Sequence, residues 1–206
     1  MRDKNPGRLE MTISLSDIEK KALLSIARRA VEAVVRDEKY TPDDPGFDNL
    51  REKLGAFVTL HENGELRGCI GYIESRTPLF ETVAEVAAKS AVADPRFEPV
   101  SEGEIDNLDI EISILSKPQI VEDISQIKVG RDGLIMERGF YRGLLLPQVA
   151  TENGWTREEF LKYTCLKAGM SVDCYKDPAT KIYSFTALVF SEKELIDNGE
   201  ALQDEQ

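Results

Sequence analysis

Leu66-Arg67-Gly68-Cys69-Ile70-Gly71 puts a guanidinium two residues from a thiol, among glycines. Side chains alternate along a strand, so Arg67 and Cys69 are expected on one face with Ile73, and Leu66, Ile70 and Tyr72 on the other. A neighbouring guanidinium favours the thiolate, the form that acts as nucleophile or ligand. Gly68 and Gly71 carry no Cβ, which leaves room for a flat ligand or a second backbone. The same residues also suit a core cysteine on a central strand, with the glycines making room for helix packing. A cysteine nucleophile needs a base, and the single histidine, His61, reads as an ordinary residue flanking a turn.

Other groups can share such a site. Asp94-Pro95-Arg96-Phe97-Glu98-Pro99 is a loop stiffened by two prolines, where Arg96 either faces an anionic ligand or pairs with Asp94. Glu111 and Ser113 share the non-aliphatic face of a strand, either the wall of a pocket containing Cys69 or a solvated face. Gln148 follows Pro147 at a helix start and can lend amide hydrogen bonds. Cys69 and Arg67 are therefore the candidate catalytic pair. Gly68, Gly71, Arg96, Glu111, Ser113 and Gln148 are the candidate ligand contacts. Trp155 reads as a packing anchor and Lys167 as a helix-terminal cation. Cys69, Cys165 and Cys174 are spaced by 96 and 9 residues, with no C-x-x-C. A closed zinc site needs four Cys or His ligands at tight spacing, so no metal is expected, and no cofactor is assigned. The three cysteines read as free thiols in a reducing cytosol.

Helices and hairpins must position these residues. Ser16-Asp17-Ile18-Glu19 is a capping box, and Ile18, Leu23, Ile26, Ala27, Ala30, Val31 and Val34 keep the spacing of one buried helix face over about 16–37. Ala56–Leu60 and Glu65–Ile73 form a hairpin about Asn63-Gly64. A second helix opens at Thr77-Pro78 and stops at Asp94-Pro95. Residues 109–114 alternate as a half-buried strand. Gly133–Met136 and Phe140–Leu146 form a second hairpin, turning at Glu137-Arg138-Gly139. Pro147 opens a helical turn, and Thr156-Arg157-Glu158-Glu159 caps a helix to about Lys167, with Gly169 at its end. Tyr183–Phe190 is the last strand, and Ser191–Gln206 reads as a frayed acidic tail. Two hairpins without a regular βαβ rhythm predict an α+β fold, with a mixed or antiparallel sheet flanked by helices.

The 206 residues carry 26 Lys+Arg against 38 Asp+Glu, a net charge of −12. That excludes a general nucleic-acid binder, because phosphate contacts need Lys and Arg. The acidity is local: residues 92–111 hold seven acidic and one basic residue, and 191–206 hold six and one. An anionic ligand near Arg67 and Arg96 is thus not excluded. No apolar run approaches the roughly 20 residues of a membrane span, and the first residues lack the apolar core of a signal peptide. A cytoplasmic protein without a membrane partner is expected.

The hexapeptide Leu66–Gly71 resembles that of the AMMECR-type domain family, found in archaea, bacteria and eukaryotes. Ser90-Ala91, Asp94-Pro95-Arg96-Phe97, Ile112–Leu115, Gly133-Leu134, Leu146–Ala150, Gly154-Trp155 and Lys167-Ala168-Gly169 resemble the family's other blocks, in order. The resemblance covers roughly 15–192, between an N-terminal extension (1–14) and an acidic tail (193–206). It implies one α+β unit with a larger subdomain, built on a sheet flanked by helices, and a smaller one. It implies no particular reaction. Related domains occur beside or fused to Memo-like and radical-SAM proteins, which implies a link to nucleotide or RNA-base modification, whereas eukaryotic members look like adaptors. Glu111 and Cys165 fall where some relatives carry other residues, so no family role passes to them. Two functions remain: a small-molecule or nucleotide-related site around the Arg67–Cys69 strand, or a non-catalytic module that binds a protein partner.

Overall fold

A computed structural model of the chain describes residues 13–195. Helix α1 (Asp17–Val35) starts at the expected capping box, the Glu19 carboxylate accepting from the Ser16 amide at 2.8 Å. Strands β1 (Gly55–Glu62) and β2 (Glu65–Tyr72) turn through Asn63 and Gly64, both at positive φ. Then come α2 (Leu79–Val92), β3 (Leu108–Leu115), the two-residue β4 (Gln119–Ile120), β5 (Asp132–Arg138) and β6 (Tyr141–Leu145). Helices α3 (Pro147–Glu152) and α4 (Arg157–Lys167) and the long β7 (Lys181–Ser191) complete the unit.

Every strand pair is antiparallel, in the order β2-β1-β3-β7-β5-β6, with β4 pairing β7 off this path. Strand β7 joins the two subdomains. Its C-terminal half pairs β3, and its N-terminal half pairs β5. Leu188 and Phe190 of β7 pack with Val58, Leu60, Ile110 and Ile112 in the core that includes residues of α1 and α2. Ile182 lies on the same face of β7 and packs with Leu134, Met136, Phe160 and Leu161 in the core of α3 and α4. The period-two rule therefore sends both helical layers to one side of the sheet.

The other face is the inside of a curled half-barrel. Leu115, Ile135 and Phe185 are buried there, with Phe57, Ile73, Leu144, Leu146, Tyr183 and Ala187 around them. Two glycines sit opposite aromatic residues on this face. A Cβ on Gly71 would lie 2.2 Å from the Phe57 ring, and one on Gly133 2.3 Å from the Phe185 ring. In each case the ring lies over its cross-strand glycine, which fills the space a side chain would need.

Two expectations need correction. Cys165 and Cys174 are not free thiols: they form a disulfide in the core of the smaller subdomain, and Cys69 is the free cysteine. Spacing in the chain does not report that the turn after α4 folds back to bring the two sulfurs together. The expected tail also starts too early. Ser191 ends β7 and is buried, while Glu192 accepts hydrogen bonds from Arg28 and from the Ile110 amide. Residues 196–206 of that tail, and 1–12 of the N-terminal extension, lie outside the described residues.

Candidate functional site

Strand β2 is an edge of the sheet, and the end of α2 with the following loop covers it. The close approach is at Gly68, where a Cβ would lie 2.2 Å from the Ser90 carbonyl oxygen. Ser90 Oγ accepts from the Ile70 amide at 2.8 Å and lies 2.8 Å from both the Val58 and Val86 carbonyls. One hydroxyl thus ties α2 into the hairpin. Two residues past the helix, the buried Asp94 carboxylate accepts from the Cys69 amide at 2.9 Å. Arg96 meets the same carboxylate through Nε at 3.0 Å and Nη2 at 2.7 Å. These Arg96 bonds, helped by the Cys69 and Arg96 amides, hold the Asp94 carboxyl far below the usual range against the effect of burial.

Strict alternation fails at Arg67. Leu60 pairs Gly68 but His61 pairs Leu66, so Arg67 is the extra residue of a β-bulge. The bulge moves Leu66 to the face opposite Ile70 and Tyr72, contrary to expectation. The Arg67 guanidinium donates to Glu104 at 2.6 Å and to the carbonyls of Glu98 and Pro99 at 2.9 and 3.3 Å. Its bond to Glu104, aided by Ser101, holds that carboxyl down at about 2. Arg96, whose Nη2 lies 3.5 Å from the Cys69 carbonyl oxygen, is instead an arginine beside Cys69.

Cys69 lies on the concave face, half-buried, and its sulfur accepts from Thr59 Oγ1 at 3.4 Å. Thr59 pairs Cys69 on one side and Glu111 on the other, and Glu111 pairs Ser191. Cys69, Thr59 and Glu111 therefore form one cross-strand row. Two strand spacings separate the first from the last, roughly 10 Å between backbones. Burial pushes the Glu111 carboxyl up, against the pull of His61, and Glu194, Asp109 and Glu152 push it further. Glu111 has no hydrogen bond or ion pair among the described residues. The buried Ser113 stands in the next row, opposite Phe57, which in turn faces Gly71.

The structure thus brings Cys69, Glu111 and Ser113 to one face and sets Arg96 at the edge beside them. It commits Arg67 to the 98–104 segment. Gln148 is the second residue of α3, and no hydrogen bond joins its side chain to this row among the described residues. Thr59 is the residue that sequence reasoning missed, and His61, read there as an ordinary turn-flanking residue, shares its face of β1. A regular two-residue hairpin about Asn63-Gly64 would pair Cys69 with Val58, so it is the bulge at Arg67 that brings Thr59 opposite Cys69 and sets His61 on the same face. Among the described residues no group of three or more His, Cys, Asp or Glu could hold a metal ion.

The profile of the AMMECR1 family matches residues 24–190, an interval that contains the hexapeptide, the Ser90–Asp94 clamp and both subdomains. The chain belongs to the AMMECR1 family. A protein of Methanothermobacter thermautotrophicus is 50% identical over 186 residues, covering 86% of this chain and 96% of that protein. Protein TK0174 of Thermococcus kodakarensis is 48% identical over 182 residues, covering 83% of this chain and 89% of its own length. Among solved structures, PH0010 of Pyrococcus horikoshii is similar at a TM-score of 0.81 and 46% identity, over 86% of this chain and 93% of that one. This AMMECR1 domain has no helix, among the described residues, that is long and apolar enough to cross a membrane.

Proposed function

We propose that the concave face between Cys69 and Glu111 binds a small polar ring of nucleobase or nucleotide type, with the hexapeptide strand as a rigid wall. The carrying observation is the row itself. A thiol with a hydroxyl donor stands at one end, and a carboxyl raised by burial and lacking a hydrogen bond stands at the other. A half-buried polar group without a partner is unfavourable, and a ligand donor offsets that. The roughly 10 Å between the two ends suits a single planar ring. Arg96 supplies positive charge at the rim for a phosphate. Cys69 and Glu111 are the groups on which any reaction would turn, and a cytoplasmic setting belongs to the same reading. The Cys165–Cys174 bond is compatible with a cytoplasm of the kind found in hyperthermophilic archaea, where intracellular disulfides persist.

The test uses Cys69 as the one alkylatable thiol of the folded, oxidised protein. Nucleobases, nucleosides and nucleoside monophosphates at millimolar concentration are expected to slow iodoacetamide labelling of Cys69 at least threefold for some members. The Glu111→Gln variant is expected to lose that protection. Labelling unaffected by every member of the panel refutes the reading. A second reading, a non-catalytic adaptor, draws on a different observation: Arg67, Gly68 and Gly71 each have a complete packing role. It predicts that a folded Cys69→Ser variant keeps its protein partner, whereas Gly68→Val loses it.

A further inference from the structure

The smaller subdomain carries a run of exposed apolar side chains that begins at Trp155, a half-buried residue packed on the rim of its core. Trp155 and Tyr163 stack with ring centroids 4.1 Å apart, and Leu166 follows Tyr163 by three residues on the outer side of α4. The helix then ends against the β5–β6 hairpin. A Cβ on Gly143 would lie 2.5 Å from Ala168 Cα, and one on Gly169 would lie 3.6 Å from the Tyr141 ring. The strip therefore runs from Trp155 through Tyr163 and Leu166 to Tyr141, with Phe140 beyond it at the hairpin tip. Phe140 is fully exposed, and Tyr141, Tyr163, Leu166 and Val172 are each about half exposed. Monomeric proteins seldom leave aromatic residues grouped in this way.

We infer that two copies of this chain associate through this strip, with α4 and the β5–β6 hairpin of each copy facing their counterparts across a two-fold axis. Area supports that occupant. An aromatic side chain offers about 150–250 Å², so Phe140, Tyr141, Tyr163 and Leu166, at their exposures, present roughly 500 Å². Two copies would bury roughly 1,000 Å² of apolar surface, the least a specific interface needs, before the polar rim is counted. Charge supports it too. The net charge of −12 is concentrated in residues 92–111 and 191–206, outside the strip. Residues 130–182 hold eight basic and seven acidic residues, so the strip's own segment is nearly neutral and adds little like-charge repulsion between two copies. A self-complementary patch closes into a dimer and leaves no sticky end.

Sedimentation velocity of the full-length protein over 1–200 μM tests this. A monomer–dimer equilibrium is expected. Dimerisation strengthens severalfold between 50 and 500 mM NaCl, because salt screens the repulsion between two negative chains. Tyr163→Glu and Leu166→Glu each weaken association at least tenfold. Ile18→Glu, which alters an exposed apolar residue of α1 outside the strip, leaves it unchanged. Circular dichroism confirms that each variant is folded. A folded wild type that stays monomeric at 200 μM overturns the inference, as does a dimer indifferent to both α4 substitutions or one that salt dissociates. Monomers that capture other proteins through the strip also count against it.

Discussion

Gly68→Ala adds one methyl group to the hexapeptide and is expected to destabilise the larger subdomain severely. The new Cβ would stand 2.2 Å from the Ser90 carbonyl oxygen and 3.2 Å from its carbonyl carbon. Both are backbone atoms of α2, so no side-chain rotation relieves the contact, and helix and strand must separate by about 1 Å. That separation acts on a pinned junction. The Ser90 hydroxyl holds the Ile70 amide, and Asp94 holds the Cys69 amide. Overpacking costs about 1–3 kcal/mol, and each stretched bond to a part-buried amide adds about 1 kcal/mol or more. The sum is roughly 3–5 kcal/mol. For a chain of this length each kcal/mol lowers the midpoint by about 2–4 °C, which predicts a fall of roughly 6–20 °C. Differential scanning calorimetry measures it, with Gly103→Ala as control. Nothing lies within 4 Å of a Cβ at Gly103, so that change is expected within about 0.5 kcal/mol of wild type. A Gly68→Ala protein within about 1 kcal/mol of wild type refutes the claim that α2 rests on the glycine.

Arg67→Ala removes a largely buried ion pair and two carbonyl contacts, for a loss of about 1–3 kcal/mol at pH 7. Glu104 titrates at about 2 in the folded chain, below its unfolded value, so the pair's contribution is full above about pH 4.5 and fades as pH falls toward 2. Urea unfolding at pH 6 and pH 2.5 should show the gap between wild type and variant narrowing; a constant gap contradicts the pairing. Glu111→Gln acts with the opposite sign. Its folded carboxyl is raised, so ionisation opposes folding at pH 7, and the variant should be as stable as wild type or more so, with the difference gone near pH 4. A clear loss of stability at pH 7 would mean that Glu111 has a partner. The Cys165–Cys174 disulfide closes a short loop, and reducing it should lower stability by about 2–3 kcal/mol, read as a reductant-dependent shift of the urea midpoint. No shift with thiols verified as reduced contradicts a stabilising role.

Much of the architecture was legible in local pattern. Capping boxes at Ser16 and Thr156, the Asn63-Gly64 turn and the alternation from Asp109 to Ile114 are short-range signals, and the elements they predict are present. The β5–β6 hairpin was also foreseen, although its turn lies at Gly139-Phe140, one residue past the expected centre. Legibility stopped where contacts join distant segments. Alternation alone put Arg67 beside Cys69, whereas the bulge hands Arg67 to Glu104, 37 residues further on. The same rule correctly set Glu111 and Ser113 on one face, but only strand order shows that Thr59 stands between Glu111 and Cys69.

The sequence by itself determined the element types, the two hairpins, the family and the chemical identity of the candidate groups. Each follows from spacing within a few residues or from an ordered set of blocks. Tertiary structure alone decided which groups share a surface. Strand β7 aligns two subdomains so that both helix-covered cores lie on one side of the sheet and the thiol–carboxyl row lies on the other. It also decided which cysteines bond, which arginine stands beside Cys69, and where the exposed aromatics of α4 and the second hairpin meet. The physical reason is one of range: capping, turn geometry and periodicity act between near neighbours in the chain. A bulge, a disulfide or a cross-strand row depends on how segments far apart in sequence come to lie in register.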